Sequence, residues 1–172
     1  MPDHRIPPVY DENSRMLILG SFPSVKSREA EFFYAHPQNR FYRVLSTVFD
    51  DEFPETNELR RAFLLRHRVA VWDVIARCEI AGSSDASIKN AEANDIRPLL
   101  EKTRIERIFV NGKTAEKLYI KHIEPVVGIK AVPLPSTSPA NASWSLEKLI
   151  EEWREMLEGS GRNPAAIRPS KC

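Results

Sequence analysis

The sequence predicts an α/β fold: three layers, α/β/α, around a central, mainly parallel four-stranded sheet. Three observations carry that prediction. Short apolar runs near 15–22, 69–75, 107–110 and 129–134 have the length and composition of buried strands. Stretches with helical apolar spacing separate them, so the order is β-α-β-α-β-α-β-α. A chain of 172 residues, 42% hydrophobic and 28% charged, is long enough for one domain with its own core.

The elements follow in order. Residues 1–14 hold three prolines among polar residues and read as an arm on the surface. The first strand runs into Gly20-Ser21-Phe22-Pro23-Ser24, which turns the chain without regular structure. A second irregular piece, 34–39, leads into a helix near 40–49, where Phe41, Val44, Leu45 and Val48 fall at i, i+3, i+4, i+7. A second helix near 57–67 shows Leu59, Ala62 and Phe63 with a basic outer face. After the strand at 69–75 comes a loop at 81–87, then a helix near 95–102 with Pro98 in its first turn. The third strand closes on Asn111-Gly112, and the helix after it carries Ala115, Leu118, Tyr119 and His122. Residues 135–143, rich in Pro and Ser, form no regular element. The helix at 145–157 has the clearest stripe: Leu146, Leu149, Ile150, Trp153 and Leu157. Residues 1–158 thus make a single domain, and 159–172 a loosely held tail.

Composition narrows the function classes. A net charge of +1 gives no global basic signature, though a groove can be basic on a neutral protein. Two cysteines, Cys78 and Cys172, cannot build a disulfide framework or an iron–sulfur site, and the four histidines lack ligand spacing. No metal and no cofactor are expected. The N-terminus lacks a signal-peptide core and no run reaches spanning length, so a cytoplasmic protein without membrane contact is the expectation.

Parallel topology puts the loops after the first and fourth strands on one side of the sheet, where open α/β sheets bind ligands. Taken alone, the residues there have ordinary readings. Asn39 ahead of a helix-like run is an N-cap. Tyr34 and Phe41 are core aromatics, and His36 braces a loop. Asp73, the odd polar residue of the second strand, either touches a ligand or braces a loop. Gly112-Lys113-Thr114 lacks the first glycine of a phosphate loop. Gly82-Ser83-Ser84-Asp85-Ala86 is a loop and not a nucleophile elbow.

Three segments nonetheless form a known combination. Gly20-Ser21-Phe22-Pro23-Ser24, the segment Phe33-Tyr34-Ala35-His36-Pro37-Gln38-Asn39-Arg40-Phe41-Tyr42, and Pro135-Ser136-Thr137-Ser138 leading into Ser145-Leu146-Glu147-Lys148-Leu149 resemble the uracil-DNA glycosylase superfamily. The likeness extends from about 17 to 157. Mismatch-specific members carry a catalytic Asn in the first loop, where this chain has Phe22. Classical members carry an Asp there and a His in the last loop, and this chain has no His near Ser136. The pattern instead resembles the hypoxanthine-DNA (deoxyinosine) glycosylase branch, which implies Asn39 as the catalytic residue.

The resemblance implies a monofunctional DNA glycosylase of base excision repair that flips a deaminated base out of double-stranded DNA. No obligatory protein partner is implied. Gly20, Ser21, Phe22, Pro23, Ser24, Tyr34 and Asp73 would form the base pocket, with Tyr34 as the stacking ring and Phe22 as a wall. Ser136, Thr137, Ser138, Pro139, Ala140 and Asn141 would face the DNA, with Thr137, Ser138 and Asn141 donating to phosphates and Pro139 or Ala140 as the wedge. A neutral Asn39 would place the attacking water through its carbonyl oxygen or its NH₂ group. Backbone N–H groups of the Gly20 turn would receive the leaving base. Three other readings stay open: the same fold excising uracil, a non-catalytic nucleotide- or damaged-DNA-binding module, and a small hydrolase using Ser84 or Ser21.

Overall fold

The structure, a computed structural model, describes residues 6–23, 25–79 and 88–158. Ser24, the loop at 81–87 with Ser84, and the tail after 158 lie outside the described residues. Four parallel strands form the sheet: β1 (Met16–Gly20), β2 (Val69–Asp73), β5 (Arg107–Asn111) and β6 (Val132–Leu134), in the order β2-β1-β5-β6. Alternation along each strand divides the core in two. Ile18, Val71 and Phe109 face one layer; Leu17, Leu19, Ile108 and Val110 face the other. The first layer is closed by α2 (Phe41–Val48), α3 (Asn57–Arg66) and α7 (Leu146–Trp153). The second is closed by α4 (Arg97–Lys102) and α5 (Lys113–His122). This is the expected three-layer α/β/α arrangement.

Local chemistry sets the helix starts. Thr56 caps α3 by accepting from the Leu59 N–H at 3.1 Å, and Ser145 caps α7 by accepting from Lys148 N–H at 3.2 Å. Before α5 the chain turns at Gly112, whose φ of +99° would strain any side chain and whose added Cβ would stand 3.1 Å from that of Ser136. The short α6 (Glu124–Val127) carries Pro125 in its first turn and ends on left-handed Gly128.

Several expectations need correction. The arm is not simply laid on the surface: Ile6 and Val9 are buried, and Val9 exchanges two backbone hydrogen bonds of 3.0 Å with Val71. It thereby covers the outer edge of β2. The run at 69–75 is two strands: β2 ends at Asp73, and β3 (Ile75–Glu79) departs to pair antiparallel with β4 (Lys89–Ala93). The sequence of β4, KNAEA, has no strand pattern; pairing and an Arg77–Glu92 ion pair of 2.6 Å hold it. A helix over Val25–Ala30, α1, follows the first turn and was not anticipated. The final helix breaks at Arg154 into α7 and α8 (Glu155–Glu158). Met156, at i+3 from Trp153 and i+7 from Leu149, enters the core, and Leu157 is exposed, off the predicted stripe. In α3 Leu59 is likewise exposed, and Phe63 and Leu64 make the buried contact. Among the described residues no helix is long and apolar enough to cross a membrane.

Candidate active site

The chain goes from β1 outward to β2, then crosses back to β5 on the other side of β1. A crevice opens at such a reversal, beyond the carboxyl ends of the strands. Here it is a cavity of about 290 Å³, near the lower limit for small-molecule sites. Three strand ends supply its floor: Gly20 from β1, Asp73 from β2, which pairs with Gly20 in register, and Asn111 from β5.

The walls come from the two motif loops. Tyr34 reaches in from the first, with a left-handed backbone at φ 56°. One face of its ring is stacked on Phe41 at 4.0 Å between centroids, so only the other face and the edge remain for a ligand. The Tyr42 hydroxyl donates to the Phe33 carbonyl at 3.0 Å, fixing this loop to α2. Burial pushes the Tyr42 phenol well above its ordinary value, outweighing the opposing charge of Arg60, so it remains a donor. Phe22 stands on the cavity wall with the Arg28 guanidinium over its ring at 5.4 Å.

Asn39 is also on the wall. Residues 36–39 make a tight turn: Asn39 N–H donates to the His36 carbonyl at 2.9 Å, and His36 Nδ1 accepts from Gln38 N–H at 3.0 Å. His36 thus braces its loop. The Asn39 side chain accepts from Phe41 N–H at 2.9 Å, so it does start α2 as a cap would, although Arg40 holds the formal cap position. Capping and lining the cavity are one geometry.

Arg40 joins the two loops. Its backbone N–H donates to the Thr137 carbonyl at 3.0 Å, and its guanidinium donates to the carbonyls of Ser138, Asn141 and Trp144. Trp153 Nε1 holds the loop's other end through the Pro135 carbonyl at 2.9 Å.

Of the residues predicted from sequence, Gly20, Ser21, Phe22, Pro23, Tyr34, Asn39, Asp73, Ser136, Thr137, Ser138, Pro139 and Ala140 line this one cavity. One role is corrected. Thr137 is fully buried and its hydroxyl donates to Asn39 Oδ1 at 2.8 Å, so it cannot donate to a phosphate. Asn141 lies off this cavity, its amide nitrogen donating to the Ser136 carbonyl inside the loop. Pro139 and Ala140 are exposed at the loop tip. Sequence reasoning missed Ser27, buried with its hydroxyl accepting from Ala35 N–H, and Asn111. The position of Asn111 at the end of a parallel strand was the available signal. Among the described residues no group of three or more His, Cys, Asp or Glu could hold a metal.

A parallel sheet of this order with a small, aromatic- and amide-walled cavity at its reversal defines an α/β protein with a candidate site at the carboxyl ends of its strands. Comparison with known proteins makes that specific. The family model of the Uracil DNA glycosylase superfamily matches residues 7–158, and the chain belongs to that superfamily. It is 31% identical over 163 residues to a hypoxanthine DNA glycosylase of Methanosarcina barkeri, covering 92% of this chain and 99% of that protein. Its identity to the hypoxanthine DNA glycosylase of Methanosarcina acetivorans is 32% over 156 residues, covering 88% and 95%. The solution NMR structure of a candidate uracil DNA glycosylase from Methanosarcina acetivorans superposes with a TM-score of 0.76 at 29% identity, covering 92% of this chain and all of that one.

Proposed function

We propose that this protein is a monofunctional DNA glycosylase that releases hypoxanthine from double-stranded DNA, with Asn39 as its catalytic residue. The observation that carries the reading is the convergence of Asn39, Asp73 and Tyr34 on one base-sized cavity. Extruding a nucleotide costs a few kcal/mol, least for a mismatched pair. Stacking against the open face of Tyr34 offsets roughly 1–3 kcal/mol of that cost.

Asp73 supplies the selection. A carboxylate oxygen accepts hydrogen bonds. Deamination converts the bare N1 of adenine into the N1–H of hypoxanthine, so an acceptor at the cavity floor favours hypoxanthine over adenine at that position. Ser136, Ser138, Pro139 and Ala140, which follow β6, would meet the duplex. Cleavage at C1′ builds positive charge on the sugar, so a placed water is needed more than a strong base, and the neutral Asn39 suits that task.

The test is single-turnover base release from duplexes containing inosine, uracil, xanthine or a normal base. Inosine should be the preferred substrate, and Asn39→Ala should lower its rate by about 10²–10³-fold, as for one lost preorganised group. Tight duplex binding with no free base would replace the reading with that of a binding module. A folded Asn39→Ala protein within a few-fold of wild type would remove Asn39 from the chemistry.

A further inference from the structure

We propose that Asn39 works as a hydrogen-bond donor through Nδ2, and that Thr137 and Asn111 are positioning residues that fix its amide in that sense. The inference rests on the reading of Asn39 just given. The two ends of an amide are nearly equal in size, so its partners decide which end faces where.

Two backbone N–H groups, which can only donate, settle the direction. Phe41 N–H lies 2.9 Å from one end of the Asn39 amide, so that end must be the oxygen. Thr137 N–H lies 3.1 Å from Asn111, so that atom is Asn111 Oδ1. Asn111 Nδ2 then donates to Thr137 Oγ1 at 3.1 Å. With its oxygen so occupied, the Thr137 hydroxyl turns its own proton to Asn39 Oδ1 at 2.8 Å. Every donor in the series has one acceptor, and a flipped Asn39 would set N–H against N–H. Thr137 is fully buried, so water does not compete for these bonds.

Both lone pairs of Asn39 Oδ1 are therefore committed. Nδ2 meets no acceptor among the described residues, and Asn39 lines the cavity, so its N–H groups are the end offered to a ligand. Two donors on the oxygen also polarise the amide and strengthen those N–H groups. The chemistry narrows accordingly. A water held by Nδ2–H lends one lone pair to that bond and keeps the other for C1′. As its oxygen bonds to C1′, the N-glycosidic bond breaks and its electron pair leaves with the base. The surplus water proton goes to solvent and the base takes up a proton; Asn39 receives none.

Asn39→Asp separates the two ends, because it keeps the acceptor for Phe41 and Thr137 and removes both N–H groups. Its single-turnover rate on inosine duplex should fall as far as that of Asn39→Ala and should not recover as pH rises. A rate within a few-fold of wild type, or one that climbs as a carboxylate forms, would overturn the donor assignment. The catalytic role would survive that result, whereas wild-type activity in Asn39→Ala would remove the role itself.

The positioning residues have their own readouts. Thr137→Val should lower the rate about 10-fold with unchanged duplex affinity, shift the Asn39 side-chain NH₂ resonances, and be rescued by Thr137→Ser. In Asn111→Asp an ionised carboxylate would draw the Thr137 proton away from Asn39. Its activity should therefore be low at neutral pH and rise toward acid as the carboxyl protonates and donates again. A pH profile parallel to wild type in a folded Asn111→Asp protein would overturn the positioning role, as would wild-type activity in Thr137→Val.

Discussion

A methyl group on Gly20 would stand 2.7 Å from Oδ1 of Asp73 and 2.8 Å from the Tyr34 hydroxyl. No real Cβ tolerates such contacts, so the floor of the cavity depends on a residue with no side chain. Gly20→Ala must displace both groups at once. Overpacking of this kind costs about 1–3 kcal/mol of stability. Because a displacement near 1 Å can cost about 10²-fold in rate, base release should suffer more than folding. Thermal melts beside single-turnover rates will show it.

Asp73→Asn keeps shape and exchanges an acceptor for an amide. Loss of the acceptor for the base N1–H, about 0.5–1.5 kcal/mol, should lower inosine cleavage by about 10-fold. The same change should narrow the margin between inosine and adenine, since the amide can donate to adenine N1. Equal rates for both proteins on inosine would take Asp73 out of base reading.

Arg40→Lys tests the bond between the two loops. One guanidinium serves the carbonyls of Ser138, Asn141 and Trp144, and an ammonium cannot span them in one plane. The variant should lose about 1–3 kcal/mol of stability. Amide exchange should accelerate across 136–144, and base release should fall because Thr137 belongs to the loosened loop.

Asp51 gives a pH-dependent stability. Hydrogen bonds from His67 at 2.8 Å and from Arg66 at 2.8 and 3.1 Å hold its carboxyl well below its ordinary value of 3.8. A carboxyl with a lower pKa folded than unfolded stabilises the fold above the unfolded value, and that contribution is lost as pH falls below it. The melting-temperature difference between wild type and Asp51→Asn should shrink as pH falls below about 4. A difference that grows below pH about 4 would contradict the role given to this carboxyl.

Much of this protein was legible before any coordinates. Ile18 and Leu19, or Leu149 and Trp153, declare their elements because side-chain periodicity is a local property. Where a segment's own pattern is weak, the reading failed. KNAEA becomes β4 only through pairing with β3, and Val9 enters the sheet only because the edge of β2 is there to receive it. Leu157 was misplaced because the buried face runs through Leu149, Trp153 and Met156, at i, i+4 and i+7, and Leu157 lies at its border.

The site divides the same way. From the sequence alone came the α/β/α class, the two loops that approach each other and the residue types gathered at the strand ends, since each follows from order along the chain. Only the tertiary structure decided that Thr137 turns inward and that Asn39 presents nitrogen instead of oxygen. Those facts depend on hydrogen bonds between residues 98 positions apart, and the direction of a hydrogen bond exists only once donor and acceptor have met.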